Sequence, residues 1–126
     1  MNGWTSFGML MGIGAALQIS LGFFLDRGGS WLRDVHASIG FLGVALVAAG
    51  LWGAWRRKAK GPALYSSALM LVLVAVQAYL GVALLGGVEP GALLGHEVNA
   101  FLILAVGALG GALVRRESDV RNRAGG

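Results

Sequence analysis

"ALYSSALMLVLVAVQAYLGVALLG", residues 63–86, contains no charged side chain and is apolar on every face a helix could present. A bilayer core of roughly 30 Å is crossed by about 20 residues rising about 1.5 Å each. This run therefore predicts a membrane-spanning helix. Three further runs have the same character, at about 5–25, 35–55 and 91–114, and none contains Lys or Arg. Glu97 is the one acid well inside a run. Together the four runs use nearly all of the 126 residues, and 56% of the chain is hydrophobic with a mean hydropathy of +0.72. Soluble domains are less apolar than this. The expectation is one all-α integral membrane domain over 1–126, with four transmembrane helices in an up-down-up-down bundle.

The first run lacks a basic leader and is followed by Asp26 and Arg27 rather than a small-residue cleavage site, so it reads as a retained helix. The chain has no cysteine, which excludes disulfides, thiolate metal sites and thioether haem attachment. Its basic character points to loop charge in a membrane protein rather than to nucleic acid. Of ten basic residues, Arg56, Arg57, Lys58 and Lys60 separate runs two and three, and Arg115, Arg116, Arg121 and Arg123 follow run four. The opposite loops hold only Arg27 and Arg33. The positive-inside rule then places both termini and the middle loop in the cytoplasm, in a cell (plasma) membrane. Residues 118–126 form a cytoplasmic tail, with anionic lipid as a possible contact.

A repeat underlies the four runs. "LQISLGFFL" (17–25) and "VQAYLGVAL" (76–84) share Gln-x-x-Leu-Gly through Gln18, Leu21, Gly22 and Gln77, Leu80, Gly81, an offset of 59. His36 and His96, the two histidines of the chain, follow at an offset of 60, and Arg56-Arg57 matches Arg115-Arg116 at 59. The chain thus reads as a two-helix hairpin in tandem, with units of about 1–60 and 61–117. In such a parallel repeat the second and fourth helices are diagonal and run in the same sense. Their histidines would stand at one depth, toward the outer side.

Ionisable residues inside a membrane mark functional sites by default. Two histidines are too few for a structural zinc, which takes four ligands. A haem needs only its two axial positions filled, and neutral imidazole suits iron. His36 and His96 are accordingly the candidate metal ligands. Gly40, one turn after His36, and Gly22 and Gly81 on the other helices would give a porphyrin clearance. Arg27 and Arg33 at the outer mouth are candidate propionate partners. Gln18 and Gln77 would orient the ligands or hydrogen-bond between helices. Gly8-x-x-x-Gly12 and Gly107-x-x-x-Gly111 read as close helix packing, and Trp4, Trp31, Trp52 and Trp55 as an interfacial aromatic belt.

Gln-x-x-Leu-Gly at an outer helix end, then a histidine opening the next helix, repeated once, resembles the haem A synthase family. That resemblance implies two tandem four-helix bundles, each with paired histidines holding a haem near the outer face, one taking haem b as cofactor and the other haem o as substrate. This chain corresponds to one bundle over its whole length, through Gln18, Gly22, His36, Gln77, Gly81 and His96. The catalytic half of the family carries a Glu three residues before its first histidine and an Arg directly after it, where this chain has Arg33 and Ala37. The cysteine pair of many members is absent. The likeness is to the cofactor-binding half. The expected function is a b-type cytochrome, serving electron transfer or haem handling beside respiratory membrane subunits or as a homo-oligomer. Two alternatives stand beside it, a half-size haem A synthase-like enzyme acting as an oligomer, and a haem-free accessory subunit.

Overall fold

The computed structural model describes residues 3–25, 30–58, 60–87 and 89–124. Four helices account for nearly all of them: α1 (Gly3–Phe23), α2 (Ser30–Arg56), α3 (Pro62–Leu85) and α4 (Pro90–Ala124). Three contain segments long and apolar enough to cross a membrane, Ser30–Arg56, Leu64–Leu85 and Pro90–Leu113. In α1 the apolar stretch among the described residues is shorter, Met11–Phe23.

Two boundaries differ from those hydropathy suggests. The second helix begins at Ser30, not near residue 35, so His36 lies more than a turn inside α2 rather than at its opening. Arg33 and Asp34 end the apolar run without ending the helix, because charged side chains at a first turn are solvated and do not break the backbone ladder. The fourth helix continues through Ala124, well past the last apolar residue. Its 35 residues span about 52 Å at about 1.5 Å each, more than the roughly 30 Å of a hydrocarbon core. The charged segment after Leu113 is therefore mostly helix rather than irregular tail.

The connections carry local stop and start chemistry. After α2, Lys58 takes a left-handed φ of 53° and its N–H donates to the Trp55 carbonyl at 2.9 Å. Gly61 precedes α3 at φ 74°, and Pro62 occupies the first helical turn, where no N–H is missed. At the head of α4 the Glu89 side chain curls back to accept from the Ala92 N–H at 2.7 Å, while its carbonyl accepts from Leu93. Gly91 permits this, since a Cβ there would lie 3.1 Å from Glu89 Oε2. Capping of this kind is worth about 1 kcal/mol. Glu89→Ala is expected to lower Tm by a few degrees, read by circular dichroism in detergent, with Glu89→Asp retaining most of the stability.

Each helix packs on its chain neighbours, and α1 also packs on α4, closing a ring in which α1 faces α3 and α2 faces α4 across the diagonals. The hairpins are antiparallel: Gly22 meets His36 while Gln18 meets Gly40, and Gly81 meets His96 while Ser66 meets Gly110. The α3–α4 interface is the most extensive. There Gly95, Gly107 and Gly110 of α4 receive Leu80, Met70 and Ser66 of α3. Gly107 pairs in this role with Gly110, whereas Gly111 and Gly12 face open space.

Little of the apolar material is inside. Among the described residues Leu32, Val47, Ala54 and Val74 are the buried apolar side chains, and Phe41, Val72, Leu94, Phe101 and Leu109 all point outward and exposed. A water-soluble bundle would segregate its apolar side chains to one stripe. Helices apolar on all faces suit hydrocarbon. Trp31 at one end of α2 and the tilted pair Trp52 and Trp55 (5.2 Å between ring centres, planes at 44°) at the other are all exposed. The 21-residue separation of Trp31 and Trp52 corresponds to about 32 Å of helix, the spacing of two membrane interfaces.

Candidate functional site

The α2 and α4 backbones make no direct contact, yet their histidines meet across the bundle. The ring centres of His36 and His96 lie 6.2 Å apart with the planes inclined at 52°. Both side chains are half-buried, and Nδ1 of each is buried without a hydrogen-bond partner. Each ring rests on a glycine of the preceding helix. A Cβ at Gly22 would lie 3.7 Å from His36 Cε1, and one at Gly81 would lie 3.2 Å from His96 Cε1. The repeat thus builds one arrangement twice, a glycine on the odd helix seating a histidine on the even one.

The seats differ in tolerance. At 3.7 Å an added methyl at Gly22 makes ordinary contact, whereas at 3.2 Å the His96 ring must move by a few tenths of an ångström. Gly22→Ala is therefore expected to leave any property of the pair nearly unchanged, and Gly81→Ala to shift it. The electronic spectrum of a metal-loaded form in each variant provides the comparison.

Glutamines of the two repeats act between helices, but not alike. Gln18 Nε2 donates to the main-chain carbonyl of His36 at 2.9 Å, and Gly40 makes room for that amide, since a Cβ there would lie 3.0 Å from Gln18 Nε2. Gln77 Oε1 accepts from Asn99 Nδ2 at 2.7 Å, and the same amide donates to the Leu73 carbonyl at 2.8 Å. Both glutamines therefore join the helix carrying the glycine to the helix carrying the histidine, and Gln18 reaches the backbone of the histidine itself. Arg33 is exposed on α2, one turn before His36. Arg27 lies outside the described residues.

Asn99, at 6% exposure the one buried polar side chain among the described residues, was not singled out from sequence. Its signal was present: an amide in an apolar run, three residues after His96, belongs to the class of residue a membrane interior retains for a purpose.

Among the described residues no three of His, Cys, Asp or Glu gather into a metal-binding group. The pair offers two nitrogens and nothing more. Ring centres 6.2 Å apart leave room for one ion between them, since metal–nitrogen bonds are about 2 Å long. The donor set thus fits a metal that brings its own equatorial ligands.

Comparison with protein-family models, with curated proteins and with solved structures finds no match. The site therefore has to be read from its own geometry.

Proposed function

We propose that this chain is a four-span membrane haem protein, with His36 and His96 as the two axial ligands of one haem b near the outer face. The observation that carries this reading is the 6.2 Å separation of two repeat-equivalent imidazoles on diagonal helices. It is supported by the orphaned Nδ1 atoms, by the glycine seats, and by the apolar exterior. In this reading α1 is the fourth span, the helices run up-down-up-down, and both termini lie in the cytoplasm of a plasma-membrane protein. The likeness of Gln18, Gly22, His36, Gln77, Gly81 and His96 to one half of haem A synthase points the same way.

A bound haem supplies one-electron chemistry at its iron. The work of the chain is to hold it. His36 and His96 would hold its iron, Gly22 and Gly81 seat the two rings, and Gln18 ties α1 to the backbone of His36. Arg33, exposed one turn before His36, would be placed to pair with a propionate. The surrounding apolar helices exclude water and so help set the potential. With both positions taken by imidazole, the function is electron transfer or haem handling beside respiratory membrane subunits or in a homo-oligomer. Arg33 and Ala37 stand where the catalytic pattern would be, which weighs against hydroxylation by a single chain.

The purified protein is expected to show a low-spin reduced-minus-oxidised spectrum, with pyridine haemochrome assay giving haem b at one per chain. Absence of a Soret band after haem supplementation would sink the proposal and favour a structural subunit. Formation of haem A in cells lacking a synthase would favour the enzyme.

A further inference from the structure

The two repeats place the same residue types at the same depth but finish the polar work differently. In the second repeat Asn99 donates twice, to the Leu73 carbonyl and to Gln77 Oε1, and so pins α4 to α3 within a turn of His96. Asn99 is buried, and α3–α4 is the most extensive interface in the bundle. By the repeat offset of 60, the matching residue in the first half is Ile39, which has no amide to offer. Gln18, the counterpart of Gln77, donates to the His36 carbonyl, but its own Oε1 is left buried without a partner. The α1–α2 interface is also the least extensive of those in the ring. Among the described side chains, one histidine therefore sits on a doubly bonded hairpin, and the other on a hairpin with one bond and one orphaned acceptor.

We propose that Asn99 is a positioning residue that makes His96 the fixed member of the pair and His36 the exchangeable one, so that a small neutral donor molecule enters on the His36 side. The inference rests on the haem reading above. Exchange is balanced as it stands: one neutral two-electron donor arrives as a neutral imidazole leaves, and no charge or oxidation state changes. Because α2 also packs on α3 and α4 on α1, the hairpin hydrogen bonds set the difference between the two sides rather than the whole cost of opening. Among the described side chains, parting α1 from α2 strains one interhelical hydrogen bond, whereas parting α3 from α4 breaks two from a single buried amide.

Carbon monoxide binding to the reduced, haem-loaded full-length protein is the test, with each variant's folding checked by circular dichroism. Ile39→Asn supplies the missing donor to Gln18 Oε1 and is expected to slow carbon monoxide binding about threefold to tenfold, the worth of one interhelical hydrogen bond. Asn99→Ile removes the second-repeat clamp and is expected to act in the opposite direction, which keeps the proposal testable if the first variant does not fold. Single histidine variants identify the side: His36→Ala is expected to retain haem on His96, and His96→Ala to retain several-fold less. Equal haem retention by the two histidine variants, or carbon monoxide rates unmoved by both Ile39→Asn and Asn99→Ile, overturns the inference while leaving the haem reading intact. A wild-type protein that takes up no haem overturns both.

Discussion

His36→Ala and His96→Ala are each expected to abolish the low-spin signature of the haem-loaded protein. The argument is one of ligand count. The pair supplies two nitrogens, and among the described residues no further His, Cys, Asp or Glu gathers with others near enough to substitute. Removing either imidazole leaves one axial position to water or to nothing, and a weak-field ligand returns iron to high spin. The change is all-or-none in the spectrum, so it exceeds any shift caused by a neighbouring glycine or amide. Persistence of the unaltered low-spin bands in both variants would show that the iron is ligated elsewhere. External imidazole supplied to the alanine variants is expected to restore the bands, which separates a lost ligand from a lost fold.

Gly110→Leu is expected to cause the largest loss of stability among single substitutions in the helix pairs. A Cβ alone at this position would lie 2.9 Å from Ser66 Cβ, closer than two carbons can approach. The atom met is the first of its side chain, fixed to the α3 backbone, so rotation of Ser66 offers no relief. The helices must separate or rotate, and with them the seats of Leu80 and Met70 at Gly95 and Gly107. Overpacking of this kind costs about 1–3 kcal/mol in ordinary cores, and a leucine between helices held by glycine contacts belongs at or above that range. Gly111→Leu, one residue along and facing open space, is the control and is expected to be nearly silent within the monomer. Thermal unfolding in detergent compares the two. Equal losses would mean that Gly110 is not the contact point.

The two glycines also show where sequence reading stops. Gly107-x-x-x-Gly111 matches a familiar spacing, yet the face that receives α3 runs through Gly107 and Gly110. Small-residue spacing announces that a close approach exists. It does not say which glycines make it, because a helix rotation of about 50° exchanges one row for the next. Asn99 is the same lesson in polar form. Its place in an apolar run was plain, but its partners, Leu73 and Gln77, lie on another helix and depend on the antiparallel register of α3 and α4. The helix ends misread from hydropathy have a different cause. Apolar length measures the membrane, whereas a helix ends where its backbone ladder ends, and the solvated charges of α2 and of the α4 extension do not break that ladder.

By itself the sequence determined what depends on period and count. It shows runs long enough to cross a bilayer, a hairpin used twice, and two histidines at matching places, because length, charge and offset are properties of a chain read in one dimension. Only the tertiary structure decided that the imidazoles stand 6.2 Å apart, that Gly22 and Gly81 seat them, and that one hairpin is clamped by Asn99 while the other leaves Gln18 Oε1 unpaired. Those distances join residues up to sixty positions apart. They are set by how side chains of diagonal and neighbouring helices interlock, which no periodicity along the chain encodes.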